Sequence, residues 1–324
     1  MNSREITVKK KVTLTQIAKM SGYAVSSVSR ALAGSPKISQ ATRKHILQYA
    51  NRCGYQPSHS RTVAIVTHSF GNYFSACILA LHEKLLQEGI RVIVLQEDML
   101  ELLEELPVQG VVSIFSENGL EKVWEEQHRC PLVCINTKAN ILEHIFSVVS
   151  DDEGAIIDAV EKLYRRGHRK IGKLGIRYKK NNHNAVLRDQ KFQELAQKYN
   201  FAGFTLNIQN TPYDIMYAIR KMLAQQVSAL ICTSEIITPN LEHAVKLLQI
   251  RVPEDLTIVA WAIPEQENIC QDFEIYAQNY AKIAQTVTQI LSAPKTTIFP
   301  PEIRISYRYF NSNIEIDTDT PAIS

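Results

Sequence analysis

The stretch TLTQIAKMSGYAVSSVSRALAGSPKISQATRKHILQYANRCGY, residues 13–55, has the start and stop signals of three short helices. Thr13 followed by Gln16 is the spacing of a capping box, which satisfies free N–H groups where a helix begins. Three apolar residues then share one helical face: Leu14, Ile17 and Ala18. The pair Ser21-Gly22 ends the pattern with a residue that tolerates positive φ. These residues predict a first helix closed by a tight turn.

A second helix is expected directly after the turn. Its inner stripe is expected to be Val25, Val28 and Leu32, with Ser26, Ser27, Ser29 and Arg30 on the outer face. Short hydroxyls and a forked guanidinium on one exposed face suit phosphates and base edges. A third helix is expected from Ser39 to Gly54, burying Ile46, Ala50 and Cys53. Two helices joined by a turn and braced by a third predict a helix-turn-helix DNA-binding unit.

The charge of the chain is unevenly distributed. Residues 1–62 hold eleven Lys or Arg against Glu5 alone, a formal +10, whereas the remainder is −7 and the total is +3. Phosphate neutralisation and counterion release require such a basic footprint, so this segment is the expected contact with double-stranded DNA. A basic terminus alone is more often a solvated tail, and the helix pattern within it favours DNA binding instead.

The same residues resemble the headpiece of the lactose-repressor (LacI/GalR) family of bacterial transcription factors. The resemblance is carried by SSVSRAL, by IS-x-x-TR and by the closing GYQP. It implies major-groove readers at Val25 and Ser26, a base contact at Arg30, phosphate contacts at Ser27 and Ser29, and a further contact at Tyr55. Other DNA contacts are expected at Thr13, Leu14, Lys37, Ser39 and Thr42. A serine on a basic helix can also be merely solvated, and Tyr55 can be a packing residue.

Two departures from the family pattern affect this headpiece. Ala24 stands where the family usually has Ser or Thr as the N-cap of the recognition helix, which removes about 1 kcal/mol of capping and one phosphate hydrogen bond. The family also places about ten further residues after GYQP, including a hinge helix that wedges into the minor groove. Here residues 58–62 lead directly into a predicted strand. Minor-groove wedging is therefore not expected, whereas major-groove reading is.

Beyond residue 62, short β-rich runs alternate with longer amphipathic ones. The expected strands are 63–67, 91–95, 110–115, 131–135 and 146–149 in a first lobe, and 170–175, 204–208, 228–233 and 256–261 in a second. Helices are expected near 73–88, 99–106, 119–128, 152–166, 184–199, 212–226 and 239–248. The alternation predicts two open parallel sheets with helices on both faces. The expected fold is an all-α helix-turn-helix headpiece followed by a two-lobed α/β domain which, by the family resemblance, is periplasmic-binding-protein-like.

The expected domain boundaries follow from this pattern. The helix-turn-helix domain takes residues 1–57, a short linker lacking the usual hinge helix takes 58–62, and an effector-binding and dimerisation domain takes 63–324. Its first lobe is expected to comprise about 63–149 plus 279–303, and its second 150–278 plus 304–315. Ligands of such open sheets bind at the carboxyl ends of the strands.

The family resemblance also supplies candidate effector contacts. Arg188 matches the arginine that in the family clamps a sugar or purine, and its planar fork suits vicinal hydroxyls or a carboxylate. The other candidates are His68, Ser69, Phe70, Thr137, Lys138, Glu235, Trp261, Gln278 and Tyr280. Trp261 is expected to stack against a pyranose ring, although Trp261 and Tyr280 can equally pack between the lobes and Lys138 can be a solvated loop residue.

Two substitutions bear on the effector. Ala262 replaces the usual aspartate and Glu235 stands near the place of the usual Asn-Asp pair, so the effector is expected to differ from lactose or galactose. Lys191 replaces the glycine that usually follows the clamping arginine, so the local packing is expected to differ. Basic side chains at His68, Lys138, Arg188 and Lys191 suit an anionic effector such as a sugar phosphate.

Other classes of protein lack support in the sequence. There is no Gly-x-Gly-x-x-Gly, P-loop, Gly-x-Ser-x-Gly or His-Glu-x-x-His motif, so neither an enzyme, a metal site nor a cofactor is expected. No apolar run reaches the roughly 18 residues of a membrane span. The six cysteines are scattered, as free core thiols would be, and a cytoplasmic protein is expected. A homodimer on a pseudo-palindromic operator is expected because helix-turn-helix units usually act in pairs.

Two functions stay open at this point. The first is a sequence-specific transcriptional repressor controlled by a sugar or sugar-phosphate effector. The second is a cytoplasmic small-molecule sensor whose DNA binding is weakened or redirected. Within the family, weak similarity to the trehalose-operon repressor subgroup runs through VAIVT, GVVSIF, SDDEGAI and ALICT.

Overall fold

The structure is a computed structural model that describes residues 12–32, 35, 37–53, 55, 61–104, 106, 108–114, 120, 130–137, 145–178, 182–263, 272–294 and 297–311. The chain divides into two compact units. The first unit is Met1–Val149 with Ala281–Ile303, and the second is Ser150–Tyr280 with Arg304–Ser324. Linker residues 58–60 and all but Leu120 of the expected helix at 119–128 lie outside the described residues.

Three helices form the headpiece: α1 (Leu14–Ser21), α2 (Val25–Leu32) and α3 (Gln40–Arg52). The predicted capping box is formed, since Thr13 Oγ1 accepts from the Gln16 N–H at 3.3 Å and Gln16 Oε1 accepts from the Thr13 N–H at 2.8 Å. The buried core is Ile17, Ala18, Val28, Ala31, Ile46 and Ala50. Placing Val25 in the inner stripe was wrong: at the first position of α2 it is 43% exposed, and Ala31 packs inside instead.

The start of α2 has no side-chain cap at Ala24. The N–H groups of Ser27 and Val28 both donate to the Ala24 carbonyl, at 2.9 and 3.0 Å. Replacement of Ala24 by Ser is expected to stabilise the headpiece by about 1 kcal/mol, because the hydroxyl accepts from a first-turn N–H. Urea unfolding of the full chain, followed by NMR amide signals of the headpiece, measures this. Ala24→Val adds bulk without an acceptor, and an equal gain there would indicate packing in place of capping.

The remaining elements alternate along the chain. In order they are β1 (Thr62–Thr67), α4 (Asn72–Gln87), β2 (Arg91–Gln96), a 3-10 helix (Glu97–Glu104), β3 (Gly110–Ile114), β4 (Leu132–Ile135), β5 (Ile145–Ser150), α5 (Asp152–Arg165), β6 (Lys170–Ile176), α6 (His183–Tyr199), β7 (Ala202–Ile208), α7 (Pro212–Ala224), β8 (Ala229–Cys232), α8 (Thr238–Leu247), β9 (Thr257–Ala262), β10 (Glu274–Ala277), α9 (Tyr280–Ser292), β11 (Glu302–Ile305) and β12 (Arg308–Asn311). The expected βαβ alternation is confirmed, with β10, α9, β11 and β12 as elements that the periodicity did not predict.

The strands form two six-stranded sheets, in the orders β11-β5-β4-β3-β1-β2 and β12-β10-β9-β8-β6-β7. Neighbouring strands from β1 to β5 and from β6 to β10 pair in parallel. In the second sheet, β12 runs antiparallel to β10, with Arg308 opposite Ala277. Parallel order brings the carboxyl ends of β6, β8, β9 and β10 to one edge of the second sheet, which is where ligands of such sheets bind.

Helices cover both faces of the second sheet. Alternate residues of β6 show this, because Leu174 packs with α7 and α8 while Ile171 packs with α5 and α6. Strands buried on both sides read as continuous apolar runs, which explains why ALIC and TIVAWA were recognisable in the sequence. Among the described helices, none is both long and apolar enough to cross a bilayer.

Candidate nucleic-acid interface and ligand site

The outer face of α2 presents polar and basic side chains to solvent. Ser26, Ser29 and Arg30 are exposed, as is Val25, and Ser27 is partly buried. The opposite face is fixed by Val28 and Ala31, which are 0% and 2% exposed. A helix held by one face and carrying hydroxyls and a guanidinium on the other can enter a major groove. The assignment of individual DNA contacts on this face stays a prediction.

Several other predicted DNA contacts also have a local structural role. The Ser39 Oγ accepts from the Thr42 N–H at 3.2 Å and donates to the Thr42 hydroxyl at 2.8 Å, which caps the start of α3. Thr13 caps α1, and the partly buried Leu14 and Tyr55 pack against the headpiece core. Burial raises the pKa of Tyr55. Lys37 is exposed in the turn before α3.

In the first unit, predicted effector residues lie at the carboxyl ends of β1 and β4. His68 Nδ1 is 3.2 Å from Glu97 Oε2, Ser69 accepts from the Gly71 N–H through its hydroxyl at 3.1 Å, and Phe70 is 55% exposed. Thr137 is partly buried after β4, and Lys138 lies outside the described residues. The sequence interpretation missed Asn136, whose side-chain amide donates to the Tyr73 hydroxyl at 2.7 Å.

Arg188 lies in a buried polar network at the carboxyl edge of the second sheet. Its Nε donates to Asp152 Oδ1 at 2.8 Å, its Nη1 to the Thr233 carbonyl at 2.7 Å, and its Nη2 to the Tyr307 hydroxyl at 3.1 Å. The Tyr307 hydroxyl in turn donates to Asp152 Oδ1 at 2.7 Å. Burial opposes the charge of Arg188, but Asp152, Tyr307 and Glu235 together outweigh this effect and raise the pKa well above its usual value. The guanidinium is therefore fixed in place and permanently charged.

A second chain of hydrogen bonds lies at the same edge. The Gln278 side-chain amide donates to Glu235 Oε1 at 2.9 Å, and the Ser150 hydroxyl donates to Gln278 Oε1 at 2.8 Å. Glu235 follows β8 and is only partly buried, so its carboxylate is the solvent-accessible end of this series of hydrogen bonds. Arg188, Glu235 and Gln278 are thus brought to one edge of one unit. The sequence interpretation missed Asp152, Tyr307 and Ser150 as members of this cluster.

Trp261 lies in the core and not on the accessible edge. Its side chain is 0% exposed, stacked on Tyr276 with ring centroids 5.0 Å apart and edge-on to Tyr307 at 5.7 Å. The expectation that its ring stacks on a sugar is corrected, because the ring is fully buried and Tyr276 is stacked on it. Tyr280 is also buried, at 6% exposed, where α9 begins.

Lys173 is a buried cation that the sequence interpretation did not single out. It lies in the middle of β6 with 1% of its side chain exposed and is ion-paired with Asp189, which also accepts from the Asn207 amide at 2.8 Å. Burial lowers the pKa of Lys173, and the neighbouring Asp189 opposes that shift. Since Asp189 is adjacent to Arg188 in α6, two buried ion pairs support the same helix.

Each described cation proposed to attract an anionic effector already faces a carboxylate. Arg188 Nη2 is 2.8 Å from Asp152, and His68 is 3.2 Å from Glu97. Lys191 Nζ is 2.7 Å from Glu194 and 3.3 Å from Glu153. With Glu235 nearby, the described edge of the second sheet carries no excess of positive charge.

Comparison with known proteins agrees with both parts of the chain. Residues 13–58 match the family described as bacterial regulatory proteins, lacI family, and residues 160–303 match the periplasmic binding protein-like domain. The transcriptional repressor CytR of Escherichia coli K12 is 24% identical over 320 residues, covering 90% of this chain and 86% of its own length. The transcriptional regulator TreR of the same organism is 25% identical over 248 residues, covering 69% and 76%.

A solved structure shares the fold over most of both chains. The complex of the transcriptional regulator CelR with cellobiose superposes with a TM-score of 0.63 at 20% identity, covering 93% of this chain and 98% of that one. CytR and TreR are helix-turn-helix-type transcriptional regulators and not enzymes. The headpiece therefore belongs to the lacI family of bacterial regulatory proteins, and the chain, which joins it to a periplasmic-binding-protein-like domain, is a DNA-binding transcriptional regulator.

Proposed function

We propose that this regulator is a homodimeric repressor that binds a pseudo-palindromic operator and releases it when a small, uncharged sugar binds at the carboxyl edge of the second sheet. The observation that carries the proposal is the cluster of Asp152, Arg188 and Glu235 at that edge, in a chain whose α2 exposes Arg30. The cytoplasm, where its DNA target lies, is its proposed location.

The polar cluster supports a hydroxyl-rich ligand. Sugar hydroxyls both donate and accept, and the carboxylate of Glu235 beside the side-chain amide of Gln278 offers partners for both roles. The structural relative CelR is a complex with cellobiose, which is consistent with a sugar at this edge. Because Arg188, Lys191 and His68 each face a carboxylate, an uncharged sugar is favoured over the sugar phosphate that the sequence suggested.

The homodimer is supported by the exposed apolar side chains of α4. Leu79 and Leu86 are 54% and 57% exposed on this helix. Two headpieces on one dimer would match two half-sites about one helical turn apart. Sedimentation of the wild type and of a Leu79→Glu variant tests this, with a shift toward monomer expected for the variant.

The proposal is tested by DNA binding with and without sugars. Fluorescence anisotropy on DNA selected by the wild type from a random library is measured across salt concentrations with cellobiose, trehalose and trehalose 6-phosphate. We expect sequence-specific DNA binding whose affinity falls steeply with salt, and a lower DNA affinity when an uncharged sugar is present. Release by trehalose 6-phosphate alone would overturn the choice of an uncharged effector. Binding without sequence preference would support the alternative, a small-molecule sensor with redirected DNA binding.

Glu235 provides a site test that leaves the fold intact. Replacement of Glu235 by Gln keeps an oxygen for the Gln278 amide but removes the charge that accepts strongly from sugar hydroxyls. Affinity for the sugar is expected to fall about tenfold, because a hydrogen bond to a charged group exceeds a neutral one by about 1 kcal/mol or more. Isothermal titration measures this. Glu242→Gln, in α8 beside Lys246, is the control and should leave sugar affinity unchanged.

A further inference from the structure

The Tyr307 hydroxyl bridges the buried ion pair of Arg188 and Asp152. It accepts from Arg188 Nη2 at 3.1 Å and donates to Asp152 Oδ1 at 2.7 Å. The residue stands just before β12, whose Arg308 pairs with Ala277, the last residue of β10. Its ring therefore reaches the pair from the carboxyl edge of the sheet, the side on which the proposed ligand binds.

This pair of hydrogen bonds is the pattern that a sugar hydroxyl makes between a guanidinium and a carboxylate. A hydroxyl has one donor and can accept as well, whereas Arg188 only donates and ionised Asp152 only accepts. Burial, reinforced by Asp152, raises the pKa of Tyr307 well above its usual value, so the hydroxyl keeps the proton that it donates. The hydrogen-bonding position beside this directly contacting ion pair is thus filled by a group of this chain.

We infer that the Tyr307 hydroxyl acts as an internal substitute for a ligand hydroxyl on the Arg188 and Asp152 pair, and so restricts which sugars the site accepts. The inference rests on the proposed function. A sugar then meets Glu235 and Gln278 directly, while the guanidinium is shielded by the tyrosine. Tyr307 is in this sense a specificity-determining residue for the effector.

Removal of the single hydroxyl opens the position without removing the ion pair. In Tyr307→Phe the Nε and Nη1 bonds of Arg188 to Asp152 and Thr233 remain. A ligand hydroxyl can then take both vacated hydrogen bonds, each to a charged partner. Affinity for a neutral disaccharide is expected to rise about tenfold, as a hydrogen bond to a charged group allows.

The chain offers a matched control on the same strand. The Tyr309 hydroxyl donates to Glu274 Oε2 at 2.7 Å, and Glu274 is ion-paired with Arg166. Tyr309→Phe therefore removes an equivalent hydroxyl from a second, partly exposed ion pair, beside the first residue of β10 at the opposite edge of the sheet. Its sugar affinity is expected to equal that of the wild type.

The experiment titrates cellobiose and trehalose calorimetrically into the full-length wild type, Tyr307→Phe and Tyr309→Phe. Tighter binding by Tyr307→Phe alone supports the inference. Unchanged or weaker binding, or equal changes in both variants, shows that the hydroxyl is purely structural and overturns it, while sugar release of DNA by the wild type still supports the proposed function.

A crystal structure of Tyr307→Phe decides the case in which no tested sugar binds any variant. A water hydrogen-bonded to both Arg188 Nη2 and Asp152 Oδ1 supports an open hydroxyl position, although the sugar effector of the proposed function would then have failed. A site with no water hydrogen-bonded to these two atoms overturns the inference.

Discussion

Replacement of Arg30 by Ala is expected to abolish sequence-specific DNA binding while the headpiece stays folded. Arg30 lies on the exposed face of α2, away from the buried Val28 and Ala31. A bidentate guanidinium on a guanine contributes about 1–3 kcal/mol of discrimination, so two copies in a dimer contribute about 2–6 kcal/mol. Non-specific affinity should fall only slightly, because one cation per subunit is lost.

The measurement compares the Kd on a DNA site selected by the wild type with the Kd on a scrambled duplex at several salt concentrations. Lys37→Ala is the matched control. Lys37 is exposed before α3, and as a phosphate contact its loss should weaken both duplexes alike and reduce the salt slope by about one per subunit. If Arg30→Ala kept the wild-type ratio of the two Kd values, α2 would not read bases through this residue.

Replacement of Asp189 by Asn is expected to destabilise the second unit by about 3 kcal/mol at neutral pH, because it leaves a buried ammonium without its carboxylate. The side chain of Lys173 is 1% exposed, and its ammonium group has room because Gly175 has no side chain. A Cβ on Gly175 would lie 3.3 Å from Lys173 Nζ and 2.5 Å from Asn207 Oδ1. The cavity is thus shaped around the charged pair.

The loss of unfolding free energy in Asp189→Asn should depend on pH in a defined direction. Burial lowers the pKa of Lys173 below 10.5, and without Asp189 it falls further. Between that lowered pKa and 10.5 the unfolded chain binds more protons, so stability rises with pH through this window. The deficit of Asp189→Asn relative to the wild type should therefore be greatest near neutral pH and shrink as the pH approaches 10.5.

Urea unfolding measured by Trp261 fluorescence tests this, with the other tryptophan, Trp124, replaced by Phe. Asp255→Asn, which breaks the exposed pair with Arg251, should show little effect. The double variant Lys173→Met with Asp189→Leu should recover much of the stability, because apolar residues often replace a buried ion pair without loss. A deficit independent of pH would mean that Lys173 does not titrate as described.

The fold was largely predictable because its signals are local. Capping at Thr13, the apolar runs of β8 and β9, and the break at Gly22 each depend on neighbours within a few residues. The last strands were missed for a physical reason. β10, β11 and β12 are four residues long, and their pairing with strands distant in sequence supplies the order that their own composition does not.

The candidate site was predictable only in part. Arg188 and Glu235 were found through the family resemblance, but the partners that decide their chemistry lie far away in the sequence. Tyr307 is 119 residues from Arg188, and the burial of Trp261 depends on Tyr276 and Tyr307. The net charge of the candidate site was misjudged for the same reason. Counting cations near predicted strand ends cannot show which of them already face carboxylates.

The bare start of α2 has a consequence for the free protein. Ala24 offers no side-chain oxygen to the N–H groups of Val25 and Ser26, and a DNA phosphate can accept hydrogen bonds from them. We therefore expect the first turn of α2 to be less ordered in the free protein than on DNA, so that part of the ordering entropy is lost only on binding.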